Sequence, residues 1–192
     1  MKKGTKLIAI AATALAIFFT TNVKAQAVKP DGWRLGIGLE GGIPTGNAHD
    51  ISNFELGGTA RLQYGLSNNL ALTLTSGYYN FFGKTYNATV VDPITNSVTT
   101  VNIKGGSLGM IPVKAGIKAF FTPNFYFGAE AGAGFEIHEP VDGEVKDTKL
   151  ILSPGVGYAS KSWEVSARYE NFSGQSNNYG LVGLRIAYGF GL

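Results

Sequence analysis

The chain has no cysteine among its 192 residues, only two histidines, and few charges of either sign. The missing cysteines exclude disulfides, Cys-based metal sites, thiol catalysis and a lipidated N-terminal cysteine. Charged residues make up 15% of the chain, against roughly 25% in an average soluble domain. Past Phe19 there is no long apolar run, and no segment carries a sustained apolar period of 3.6, so neither a spanning helix nor a helical bundle is indicated. What is present in quantity is glycine, 27 residues, and aromatic side chains, 12% of the chain.

The first segment is of another kind. Lys2, Lys3 and Lys6 precede the uninterrupted apolar run Leu7–Phe19, and Val23-Lys24-Ala25 follows with a small residue last. Basic, apolar and small-residue regions in that order describe a secretory signal peptide, with too short a run for a membrane anchor of about 20 residues. Cleavage after Ala25 is expected, giving a signal peptide over 1–25, a short N-terminal segment over 26–32 and one domain over 33–192. The leader holds four of the 16 Lys and Arg and none of the 13 Asp and Glu. The exported part, with 12 bases against 13 acids, therefore has a net charge of −1. No footprint for nucleic acid remains.

From Trp33 onward a period of two recurs eight times, over about 33–43, 54–66, 70–82, 107–121, 125–138, 149–159, 162–172 and 179–190. Ser67–Asn69, Thr122–Asn124 and Ser160-Lys161 are short connections built of turn residues. The alternate connections, 44–53, 83–106, 139–148 and 173–178, are longer. Eight strands with short turns at one end and long loops at the other predict an all-β, eight-stranded antiparallel up-and-down barrel.

Each strand presents two unlike faces. One is apolar, as in Trp33, Leu35, Ile37 and Leu39, or in Phe125, Phe127, Ala129, Ala131, Ala133, Phe135 and Ile137. The other carries Arg34, Glu40, Glu55, Arg61, Lys114, Lys118, Glu130, Glu136, Glu164, Arg168, Glu170 and Arg185, six bases and six acids interspersed with glycine. Alternation alone leaves open which face is wet. A water-facing surface gains nothing from glycine, which weakens a strand. A closed eight-stranded interior is just wide enough for side chains to fill it, and glycine there makes room for ions that must be paired. Phe125 to Ile137 spans ~40 Å at ~3.3 Å per residue, or ~28 Å of height at a tilt near 45°. That matches a lipid-facing band about 25 Å tall with aromatic girdles at its edges. Trp33, Phe121, Tyr158 and Trp163 are expected near the short-turn edge, and Tyr78 and Tyr179 near the other. Six bases facing lipid at mid-bilayer would cost ~12–24 kcal/mol at ~2–4 kcal/mol each, more than a typical net stability of ~5–15 kcal/mol. The charged face is therefore expected inside as a lumen network, and the apolar face outside against lipid.

Ile111 to Phe135, with Ile111-Pro112-Val113-Lys114 on one strand, a tight turn, and Gly128 and Gly132 on an aromatic strand, resembles the small outer-membrane β-barrel domain family common in Bacteroidota. The likeness extends loosely over 33–192. It implies an integral barrel in a Gram-negative outer membrane with periplasmic termini, contacts with outer-membrane lipids and lipopolysaccharide, and assembly by the barrel-assembly machinery. The last strand, Val182 to Phe190, resembles the C-terminal assembly signal of such barrels but is followed by Gly191-Leu192. No appended peptidoglycan-binding domain is expected.

Other motifs have plainer readings. Gly36 to Gly41 fits G-x-G-x-x-G, but Gly42, Pro44 and Gly46 prevent the helix that a dinucleotide site needs. His49, Asp50 and Ser52, or His138 with Glu136, supply a base and an orienter without a nucleophile placed by spacing. The segment 84–105, rich in Val and Thr, is a candidate hairpin above the membrane with an edge open to strand addition. The expectation is a monomeric, non-enzymatic barrel with a filled lumen, no cofactor and no metal, serving a structural or loop-displaying role as a binding or adhesion scaffold. A lipid-modifying enzyme and a narrow channel for small solutes are the alternatives.

Overall fold

The computed structural model describes residues 32–46, 49, 52–91, 98–138, 147–174 and 178–192. The expected signal peptide (1–25) and all of the 26–32 segment except Gly32 lie outside the described residues, as does Asp50.

Ten strands follow one another: β1 (Trp33–Gly46), β2 (Ser52–Gly65), β3 (Leu70–Gly83), β4 (Thr85–Val91), β5 (Val98–Lys104), β6 (Leu108–Phe120), β7 (Phe125–His138), β8 (Thr148–Ala159), β9 (Trp163–Ser173) and β10 (Tyr179–Gly191). Eight of them close into an antiparallel barrel in the order β1-β10-β9-β8-β7-β6-β3-β2. Closure runs through β1 and β10, where Leu39 lies opposite Ile186 and Glu40 opposite Arg185. Closing the sheet leaves no barrel strand with an unpaired edge. The other two strands, β4 and β5, pair with each other inside the 83–106 connection. Leu66, Ser67, Phe121, Thr122 and Ser160 make the backbone hydrogen bonds that close the short turns. The backbone N–H of Leu192 donates to the Trp33 carbonyl at 3.0 Å, so both ends of the barrel domain lie at the short-turn end. Register shifts occur at Ser52/Phe54 and Gly109/Met110, both at the long-loop end, where bulges commonly end regular pairing.

The alternation in the sequence becomes two walls. Leu39 (71% exposed), Leu74 (52%), Leu152 (47%) and Leu184 (61%) point outward. Arg61, Lys114, Lys118, Glu130 and Arg185 are buried inside. Rings gather at both ends of the outer wall. Trp33 packs on Tyr64, Phe125 on Tyr158 and Trp163 on Tyr188 at the short-turn end, and Phe54 stacks on Phe82 at the other. Tyr179 is a correction. It was expected on the outer wall, but it is buried in the lumen against Phe172, with ring centroids 4.9 Å apart. It is in phase with Leu181 and Arg185, which also face inward, and its ring completes an apolar layer inside the mouth.

Candidate functional site

The lumen is filled in three levels. Ala71, Phe120, Tyr126 and Ala159 close the short-turn end. Tyr79, Phe81, Met110, Ile151, Phe172, Tyr179 and Leu181 form an apolar lid below the long loops. Between them lie the charges. Small residues set this spacing: a Cβ on Gly134 would come 2.5 Å from the Met110 sulfur.

The central charges form a closed ring of alternating sign. Glu164 accepts from Arg61 at 2.7 Å, and Arg61 reaches Glu130 at 3.1 Å. Glu130 faces Lys114 at 3.7 Å, and Lys114 binds Glu170. Arg168 donates to Glu170 at 2.8 Å and also binds Glu40. Arg185 then joins Glu40 at 3.2 Å to Glu164 at 3.4 Å, completing the circuit. Four acids and four bases thus each face two opposite charges, and the members come from β1, β2, β6, β7, β9 and β10. The remaining two barrel strands supply neutral donors. Thr73 and Thr75 on β3 donate to Glu130, and Ser153 on β8 donates to Glu170. An ion buried among hydrocarbon is costly, and paired, hydrogen-bonded neighbours are what make it tolerable.

Four of the twelve charged residues read from the sequence stand outside this ring. Lys118 attaches to it, donating to Glu164 at 2.6 Å and to Gln63 at 3.0 Å. Glu55 is buried between lid and ring, and neither of its carboxylate oxygens has a hydrogen-bond partner. Arg34, at the short-turn end, donates to the Ser160 carbonyl at 2.9 Å. Glu136, toward the loops, accepts from the Asp147 backbone N–H at 3.1 Å. Sequence reasoning missed Lys149, which is buried and bonded to Asp147, and it missed the lid. Two small cavities lie among the described lumen residues. One cavity of about 30 Å³ lies beside Arg61, Glu130 and Ser153, and one of about 10 Å³ beside Arg34 and Gln63. They are of the size of a few water molecules and of a single one, respectively.

The histidines do not converge. His49 is exposed between β1 and β2, whereas His138 ends β7, which lies four strands from β1 and three from β2 around the ring. Gly36 to Gly41 lie within β1, as the sequence indicated.

A closed antiparallel eight-stranded wall, apolar outside and ionic within, decides the fold. It is the fold of the eight-stranded outer-membrane barrels. The N-terminal barrel domain of Pseudomonas aeruginosa OprF superposes with a TM-score of 0.52 at 16% identity, covering 82% of this chain and 97% of that one. The crystal structure of Ail, the attachment invasion locus protein of Yersinia pestis, gives 0.56 at 14% identity, covering 84% and 100%. The structure of Ail in a phospholipid bilayer nanodisc gives 0.52 at 14% identity, covering 83% and 99%. No family of known proteins and no curated protein matches the chain in sequence.

Proposed function

We propose that the protein is an integral outer-membrane barrel with a sealed lumen, which holds its long loops and the β4–β5 ribbon outside the cell as a structural or adhesive scaffold. One observation carries this reading: the outer wall is a belt of aliphatic side chains between aromatic edges, while every central charge is turned inward. Only a hydrocarbon environment makes that orientation favourable. The short-turn end, with both ends of the barrel domain, then lies in the periplasm. The Ile111–Lys114 strand and its partner support placement among the small barrels common in Bacteroidota. The likeness to Ail, an attachment invasion locus protein, agrees with an adhesive role. A filled interior needs neither cofactor nor second copy, and lipids and the assembly machinery are its partners.

Fractionation of cells tests the reading. The protein is expected in the outer-membrane fraction, to require detergent for extraction, and to migrate faster on gels when left unheated. Recovery in the soluble periplasm would overturn it. Unaltered lipid A and phospholipid profiles in a deletion strain are expected for a scaffold, and a changed profile would point to an enzyme instead.

A further inference from the structure

The β4–β5 ribbon is more than a loop ornament, because it continues the barrel wall in register. In the barrel, Tyr79 pairs with Met110, Asn80 with Gly109 and Phe81 with Leu108. In the ribbon, Thr85 pairs with Lys104, Tyr86 with Ile103 and Ala88 with Val101. Each pair of residue numbers has the same sum, so no residue is gained or lost across the gap. The backbone N–H of Gly105 donates to the Lys84 carbonyl at 2.8 Å within that gap and keeps the two strands aligned. Strand faces therefore stay in phase. Tyr78 and Phe82 on the outer wall are followed on the same face by Lys84, Tyr86 and Ala88. Ile111 on the facing strand is preceded on that face by Ile103 and Val101. Tyr86 is 45% exposed, Ile103 53% and Val101 43%. The opposite face pairs Asn87 with Asn102 and Thr89 with Thr100, with the Val91–Val98 pair on it only at the tip. The ribbon is amphipathic, and its apolar side is the extension of the lipid-facing side.

We propose that the wall-proximal part of this apolar side of the ribbon lies on the headgroup layer of the outer leaflet, with Tyr86 and Ile103 against lipid and Asn87 and Asn102 facing water. The inference rests on the membrane-spanning reading of the barrel. Magnitudes favour a lipid over a protein on this face. Four residues beyond Phe82, Tyr86 stands ~9 Å higher at ~3.3 Å per residue and a 45° tilt. The headgroup layer on each side of a ~30 Å core is ~5–8 Å thick. The Tyr86 backbone thus stands at the outer boundary of that layer, from which its ring reaches back among the headgroups, and Lys84, two residues nearer the wall, meets the depth of the lipid phosphates. A stable protein partner buries ~800 Å² per side, far more than the few side chains of this patch present. A lipid surface needs no complementary shape.

The test uses the full barrel in phosphatidylcholine vesicles, with Trp33→Phe and Trp163→Phe removing the native tryptophans. Single reporters are then placed by Tyr86→Trp on the apolar side, Asn87→Trp on the polar side and Leu74→Trp in the wall. With phosphatidylcholine brominated near the carboxyl end of its chains, the reporter at 86 is expected to be quenched several-fold more than the one at 87. It is also expected to be several-fold less accessible to aqueous acrylamide. Equal exposure at 86 and 87, with the wall reporter quenched by bromine, overturns the inference and leaves the barrel reading standing. Shielding of 86 from acrylamide without bromine quenching also overturns it, because protein rather than lipid then covers the face. An unquenched wall reporter rejects the membrane span itself.

Discussion

Glu164 and Glu55 are carboxylates on the same inner wall, both buried, and they should answer substitution in opposite ways. Glu164 accepts from Arg61, Lys118, Arg185 and the Tyr126 hydroxyl. Glu164→Ala leaves three cations facing one another out of water, and breaking a buried pair by removing one partner costs ~3–5 kcal/mol. The expected result is a urea unfolding midpoint well below that of the parent barrel refolded in detergent. Neither Glu55 oxygen meets a donor, so removing its charge sacrifices no bond. Glu55→Gln should hold stability within ~1 kcal/mol of the parent or raise it. Equal losses from the two substitutions would contradict the pairing described for the ring. Which charges would face the lumen was legible from their phase along each strand. Which would meet was not, since Arg61 and Glu164 are 103 residues apart and touch only because closure brings β2 and β9 across a narrow bore. Tyr179 shows the limit of hydropathy at this scale: its phase pointed inward while its ring suggested the aromatic edge.

At the scale of elements, eight of the ten strands and the alternation of short and long connections could be read from period two and from turn residues. The β4–β5 ribbon was legible only as a possibility, because Val and Thr favour strands but the segment has no second sheet to pack on. The lid was not legible, since Phe81, Met110, Ile151 and Phe172 share an apolar character with the outer wall. Only the charges further along β6 and β9, Lys114 and Glu170, fix which way Met110 and Phe172 turn. The ribbon touches the rest of the fold through the hairpin it continues, so the barrel should not need it. Deleting residues 88–100 and joining the ends should leave the faster gel migration of the unheated protein intact, with a stability change of no more than ~1 kcal/mol. Loss of that migration would mean that the ribbon belongs to the barrel's folding unit.

For the whole molecule, the lid, the ring and the small cluster at the short-turn end are three barriers in series, and the first two block by different means. The lid excludes ions because its apolar surface cannot replace their hydration. The ring excludes them because its charges are already paired in a closed circuit, and the two cavities beside them are of only about 30 and 10 Å³. The purified barrel in a planar bilayer should therefore pass no measurable current. Opening the lid by Phe81→Ala, Phe172→Ala and Tyr179→Ala together should still give none, because the ring spans the bore beneath it. Combining those changes with Lys114→Ala and Glu170→Ala removes one acid and one base, so the interior stays neutral while the circuit is cut. Discrete conductance steps are expected only when Phe120→Ala and Tyr126→Ala, which open the short-turn cluster, are added to those five changes. Current through the lid variant by itself would show that the ring is no barrier, and that the apolar layer alone keeps the barrel shut.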